Sequence, residues 1–86
     1  MTNRKKAIEL FETGVKVMYE GGLSTAIMFY EAAIGYDPNF YEALGNLGLC
    51  YMQMGELHKG ISYLEKALKI NPKAYNLIKA LKKRKN

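Results

Sequence analysis

The sequence predicts an all-α protein of five helices, arranged as two antiparallel helical hairpins followed by one more helix. Residues 7–40 align without a gap on residues 41–74, and nine of the 34 positions are identical, two glycines and a proline among them. Each unit carries two stretches whose apolar residues recur every three or four positions, which is the period of an α-helix. A single hairpin leaves an apolar face uncovered, and stacking two of them buries it. Residues 1–86 are therefore predicted to form one domain.

The first repeat, residues 7–40, is predicted to contain two helices. The segment EGGLS ends the first helix through its glycines, because glycine adopts the left-handed conformation common at helix ends. Ser24 in the same segment is a candidate N-cap for the second helix. Asp37-Pro38 ends that second helix, since proline cannot continue the hydrogen-bond ladder and restricts the residue before it.

The second repeat, residues 41–74, follows the same plan. Its first helix ends near Gly55, and its second helix ends at Asn71-Pro72. Residues 75–85 then form a capping helix, with an apolar side toward the second hairpin and lysines toward water. The repeat register assigns three residues of this last helix to the core: Tyr75, Ile78 and Leu81.

The small and apolar positions of the second repeat resemble those of the tetratricopeptide repeat. The residues that carry this resemblance are Leu44, Leu47, Gly48, Tyr51, Gly60, Leu64, Ala67 and Pro72. The first repeat matches less closely, with Leu10, Thr13, Gly14, Val17, Ala26, Tyr30, Ala33 and Pro38 at the same positions. The resemblance implies a right-handed α-solenoid that acts as a non-enzymatic module for binding other proteins.

In proteins of this family, the first helices of the repeats line a concave groove. The resemblance therefore implies that a set of residues on the first helices and the capping helix contacts a partner. Phe11 and Leu49 are notable within it, because each lies off the helix face expected to pack between the hairpins. We call the following set the predicted groove residues: Phe11, Val15, Met18, Tyr19, Asn46, Leu49, Met52, Gln53, Lys79 and Lys83.

A known use of the family is to hold the acidic C-terminal tail of a chaperone through Lys, Asn, Asn, Lys and Arg side chains. The corresponding positions in this sequence are Phe11, Val15, Asn46, Asn76 and Ala80. Only one of the five matches, so this ligand is disfavoured. Asn46 is still a candidate for holding the backbone of another peptide through its amide.

The charge distribution is uneven. The net charge is +5, but residues 7–58 sum to −6 and residues 59–86 to +8. A basic end can indicate an anionic partner, although a solvated lysine-rich face is the more common reason for such a pattern. Nucleic acid and membrane are disfavoured as partners, because few aromatic residues accompany the lysines and the apolar residues of the last helix are needed for stacking.

The sequence offers little chemistry for catalysis. His58 is the only histidine and is predicted to lie in the turn between two helices, whereas Cys50 is predicted to be a buried thiol within a helix. No nucleophile and base are positioned to meet, and no zinc-ligand spacing or phosphate loop is present. We therefore expect no enzymatic activity, no metal and no cofactor. A lone cysteine, and the lack of an apolar segment suited to export or to a membrane span, favour the cytoplasm.

Two functions follow from these observations. The first is an adaptor that binds a helical or extended peptide segment of a partner in an apolar groove. The alternative is a structural unit that associates with a second copy of itself, through the groove or through an open end of the repeat stack. A minor alternative is that the basic last helix binds nucleic acid or an anionic membrane.

Overall fold

Two helical hairpins and a final helix make up the computed structural model, which describes residues 2–85 and the side chains of residues 2–83. Across this part of the chain there are five helices and no strand, which confirms the predicted fold class. α1 pairs with α2 and α3 with α4, while α2 packs on α3 and α5 lies against α4. None of these helices combines the length and apolar character that crossing a membrane requires. Their bounds are α1 Arg4–Tyr19, α2 Leu23–Tyr36, α3 Tyr41–Gln53, α4 Leu57–Ile70 and α5 Tyr75–Lys85.

Glycine ends the first helix of each hairpin, as predicted. Gly21 and Gly55 both have φ +89°, a conformation that residues with a side chain rarely adopt. The N–H of Gly22 donates to the carbonyl of Val17 at 3.0 Å, a bond typical of a glycine-terminated helix. Because the chain leaves this turn at Gly22, α2 begins at Leu23. The predicted N-cap was therefore wrong: Ser24 is the second residue of α2, and Gly22 caps the helix.

The last helix covers the end of the second hairpin, but it does so with a different residue from the one predicted. Leu77 is 3% exposed and packs in a cluster with Leu44 and Leu64. Tyr75, assigned to the core from the repeat register, is 71% exposed. Ala74, Leu77, Ile78 and Leu81 follow the i, i+3, i+4, i+7 spacing of one helix face, which is complete without Tyr75.

In the loop after the second helix of each hairpin, the side chain of the residue before proline accepts a backbone hydrogen bond. A carboxylate oxygen of Asp37 accepts the backbone N–H of Asn39 at 3.2 Å, and Asn71 accepts that of Lys73 at 3.1 Å. Asp37 is 8% exposed and also pairs with Arg4. The first loop is therefore linked to the start of α1 by an ion pair. The second loop forms the same turn with the neutral side chain of Asn71.

Two substitutions at Asp37 distinguish the contribution of the turn hydrogen bond to stability from that of the ion pair. Asp37→Asn keeps the turn, as Asn71 does, and loses an ion pair whose arginine is half exposed, so we expect a cost of up to about 1 kcal/mol. Asp37→Ala also loses the turn bond, which contributes roughly another 1 kcal/mol. Thermal unfolding followed by circular dichroism measures both costs. Equal melting temperatures for the two variants would show that the turn bond contributes nothing.

Candidate functional site

Two clefts lie on the side of the molecule formed by α1, α3 and α5. The first has a volume of about 470 Å³ and separates α1 and the start of α3 from the loop that leads into α5. We call it the Phe11 cleft. The residues that line it are Phe11, Tyr41, Glu42, Asn46, Asn71, Lys73, Ala74, Tyr75, Asn76 and Leu77.

The second cleft lies between α3 and α5 and has a volume of about 360 Å³. We call it the Leu49 cleft. Its floor is apolar, with Leu49 and Met52, and exposed polar side chains stand at its rim. Residues 42, 46, 49 and 53 follow the three- and four-residue spacing of one helix face, so a single face of α3 contributes to both clefts. The lining residues are Leu49, Met52, Gln53, Ala80 and Lys83.

Six of the ten predicted groove residues line these clefts, namely Phe11, Asn46, Leu49, Met52, Gln53 and Lys83. The other four line neither. Val15 and Met18 are half-buried and pack against the core cluster around Tyr30. Tyr19 is 83% exposed at the end of α1, and Lys79 is exposed on α5.

Phe11 is a packing residue as well as a lining residue. The centre of its ring lies 4.9 Å from that of Phe40, in the loop between the hairpins, and 5.8 Å from that of Tyr30. The expectation that Phe11 lies outside the packing between the hairpins is therefore wrong, because Phe40 brings the loop against α1. A charged residue at position 11 would disturb the fold together with the cleft.

Asn46 has a partner within the protein. Its amide nitrogen lies 3.3 Å from the hydroxyl oxygen of Tyr30 and donates to it, and the Tyr30 hydroxyl points to the sulfur of Met18 at 3.5 Å. Burial raises the pKa of Tyr30, an effect that the bond from Asn46 opposes. An amide group has two N–H donors and one acceptor oxygen, so this bond orients Asn46 while using only one donor.

Leu77 lines the Phe11 cleft and packs over Gly45. Gly45 is buried, and a Cβ placed on it would lie 2.8 Å from a methyl carbon of Leu77. The sequence reasoning also missed several lining residues, including Tyr41, Lys73 and Tyr75. They lie at the start of a helix or in the loop before it, where a pattern derived from helix faces has no information.

Comparison with known proteins agrees with this fold. Residues 41–74 match the family model described as the tetratricopeptide repeat. Residues 41–74 are a tetratricopeptide repeat. One similar structure is the first such domain of Spaghetti (RPAP3), bound to the HSP90 peptide SRMEEVD, with a TM-score of 0.86 and 22% identity over 88% of this chain and 60% of that chain. At this identity the likeness concerns the fold: two tetratricopeptide repeats and a capping helix in a right-handed α-solenoid.

More similar sequences are found in larger proteins. YrrB, described as a tetratricopeptide repeat protein with an unusual peptide-binding site, is 28% identical with a TM-score of 0.85, over 93% of this chain and 41% of that one. The peroxisomal targeting signal receptor of Yarrowia lipolytica is 38% identical over 63 residues, which are 72% of this chain and 10% of the receptor. The chain thus spans about a tenth of that relative. A tetratricopeptide repeat domain is a protein–protein interaction module.

The single thiol of this tetratricopeptide repeat chain lies in the core, as predicted. Cys50 is fully buried, and burial raises the pKa of its thiol. His58 is exposed and is the second residue of α4. The prediction that it lies in the turn before this helix was therefore wrong, because α4 begins at Leu57. Within the described residues, no three His, Cys, Asp or Glu side chains are grouped as metal ligands would be.

The burial of Cys50 predicts a slow reaction with thiol reagents. The thiolate is the reacting form, and both the raised pKa and the lack of access suppress it in the folded protein. We expect the reaction with an aromatic disulfide reagent at pH 8 to be at least about a hundredfold slower in buffer than in denaturant, because it requires opening of the core. Similar rates in both conditions would contradict the buried position of this residue.

Proposed function

We propose that this protein binds a helical or extended segment of a partner protein along α3, across the Phe11 and Leu49 clefts. The observation that carries the proposal is the shared face of α3, on which residues 42, 46, 49 and 53 contribute to both clefts. Two clefts that follow one helix suit a segment that places side chains at regular intervals, as in the known binding of peptides to helical grooves. This adaptor role involves no enzymatic step, and we propose the cytoplasm as its compartment.

The chemistry of the two clefts differs along the groove. The Leu49 cleft offers an apolar floor, with Lys83 at its rim and Lys79 on the same helix. The Phe11 cleft offers Asn46, whose orientation is fixed by Tyr30, and the carboxylate of Glu42. We therefore propose that apolar side chains of the partner enter the Leu49 cleft, that an acidic flank lies near the lysines of α5, and that Asn46 bonds to the partner's backbone.

The expected affinity is modest. Full burial of an apolar side chain stabilises a complex by roughly 1.5–3 kcal/mol, and the side chains of this groove are half-buried before binding. Association and ordering oppose binding by about 4–15 kcal/mol. The balance supports a reversible contact in the micromolar range. YrrB, whose description includes a peptide-binding site, supports a peptide as the ligand.

Selection of peptides from a displayed library on the immobilised protein tests this proposal. We expect the selected peptides to combine apolar residues at helical or alternating spacing with an acidic flank. In the ¹⁵N-labelled protein, such peptides should shift the amide resonances of α3 and α5 around Leu49, Met52 and Lys83. Shifts centred on α2 or α4 would refute the groove as the binding surface.

Matched variants test whether the peptide binds in the groove or on another face of the molecule. Leu49→Lys should weaken peptide binding at least about tenfold, since it places a charge in an apolar cleft. Met28→Lys is the control, because Met28 is 68% exposed on α2 and lies in neither cleft. Leu49 also contacts the core, so the exposed pair Gln53→Glu and Lys83→Glu supplies a second test that leaves the packing intact. Unchanged binding in both groove variants would contradict the proposal.

A further inference from the structure

The face of α1 that points away from the second hairpin corresponds, in the repeat register, to the face of α3 on which α2 packs. We call it the outer face of the first hairpin. In the 34-residue register, Leu10, Thr13 and Val17 of α1 correspond to Leu44, Leu47 and Tyr51 of α3. The three α3 residues are at most 6% exposed, because α2 packs on α3. On α1, Thr13 is exposed and the two apolar residues are half-buried. Within the part of the chain that the structure describes, no helix packs on this face of α1 as α2 packs on α3.

This outer face is apolar at its centre. A cleft of about 240 Å³ lies between α1 and α2, lined by Leu10, Thr25, Met28, Phe29 and Ala32. Met28 is 68% exposed there. The hydroxyl of Thr13 donates to the carbonyl of Glu9 at 3.1 Å, so its polar group is already satisfied by the backbone. The face therefore suits an apolar occupant.

We propose that a second copy of this chain covers the outer face, with the two α1 helices antiparallel about a two-fold axis near Thr13. The charges beside the apolar stripe support this occupant. Glu9 and Lys16 are exposed. They lie four residues before and three residues after Thr13, a spacing that places them on the same face of α1 as Thr13. An antiparallel pairing places Glu9 opposite Lys16 of the second copy, and the symmetry forms the same pair twice.

A second pair of charges obeys the same symmetry. Lys6 lies seven residues before Thr13 and Glu20 seven residues after it. In the antiparallel dimer each therefore meets the other from the second copy, whereas a parallel pairing would bring like charges together. The ion pair found among the described side chains joins Arg4 to Asp37, so these four charged groups are available to a second copy.

The proposed dimer is small and independent of peptide binding. In each copy, two helices of 16 and 14 residues form the face. We expect a reversible dimer that forms in the micromolar range and leaves both clefts open. Loss of the dimer would not affect the proposed adaptor role, and loss of peptide binding would not affect the dimer.

Sedimentation velocity of the full chain over a wide micromolar concentration range tests the proposal. The wild type should move from monomer to dimer as its concentration rises. Glu9→Lys alone, and Lys16→Glu alone, should each weaken dimerisation at least about tenfold, because they place like charges opposite each other twice. The double variant E9K/K16E should restore the dimer, since it exchanges the two signs. Both sites are exposed, and circular dichroism checks that the variants stay folded.

Controls distinguish the outer face from the groove. Gln53→Glu combined with Lys83→Glu changes two exposed residues of the groove and should leave the dimer unchanged, whereas Met28→Lys should weaken it. A wild type that remains monomeric at every concentration would overturn the proposal. A dimer that is unaffected by Glu9→Lys but is lost in the combined groove variant would mean that copies meet through the groove. Failure of E9K/K16E to restore a dimer weakened by each single change would overturn the antiparallel arrangement.

Discussion

Ending the chain at Pro72, which removes α5, is expected to lower the melting temperature by at least about 10 °C. Leu64 is fully buried and Leu44 is 5% exposed, and both lie in the cluster that Leu77 of α5 completes. Each leucine returned to water costs up to roughly 1.5–3 kcal/mol. A chain of this size is stabilised by only about 5–15 kcal/mol in total, so the loss of one cluster is a large fraction. Thermal unfolding by circular dichroism measures the effect.

Point substitutions within α5 provide the control for this deletion. Leu77→Ala should account for much of the loss, at about 2–5 kcal/mol, because it leaves a cavity against Leu64. Tyr75→Ala should cost little, because Tyr75 is 71% exposed on the same helix. If the shortened chain melted at the temperature of the full chain, α5 would not be a cap.

The sequence was sufficient to predict the helices because their limits are set locally. Gly21 and Gly55 end their helices by a backbone conformation that glycine favours. Pro38 and Pro72 prevent the preceding helix from continuing, whatever the tertiary contacts around them. The small residues of the repeat, such as Gly48, could be recognised for the same reason: their role depends on one close approach that recurs every 34 residues. Together with the apolar periodicity and the repeat register, these signals predict five helices in the correct order.

The groove was harder to predict because it depends on how the elements meet in space. The repeat register indicates which residues share a face, but it does not reveal that Phe40 from a loop packs on Phe11 or that Leu77 covers Gly45. The structure has two clefts where one groove was expected. Tyr41 and Lys73, which lie outside the helix-face pattern, line the Phe11 cleft.

The second large effect on stability is expected at Gly48, where α3 lies close to α4. A Cβ on this residue would lie 2.7 Å from the backbone carbonyl oxygen of Gly60 and 3.0 Å from Leu64, so Gly48→Ala forces α3 and α4 apart. Overpacking of a core costs about 1–3 kcal/mol and sometimes more. Alanine regains up to roughly 1 kcal/mol of helix propensity, which is not sufficient when the obstacle is backbone. We expect the melting temperature to fall by about 5–15 °C.

Gly35→Ala is the matched control for this substitution. Gly35 is also helical, but it is exposed, and a Cβ placed on it would meet no atom within 4 Å. The same chemical change should therefore raise the melting temperature slightly, by the gain in helix propensity. Opposite signs for the two alanines would show that close contact between α3 and α4, and not helix propensity, requires glycine at position 48. If Gly48→Ala also stabilised the protein, the two helices would have to tolerate a wider separation, and the shape of both clefts along α3 would have to change with it.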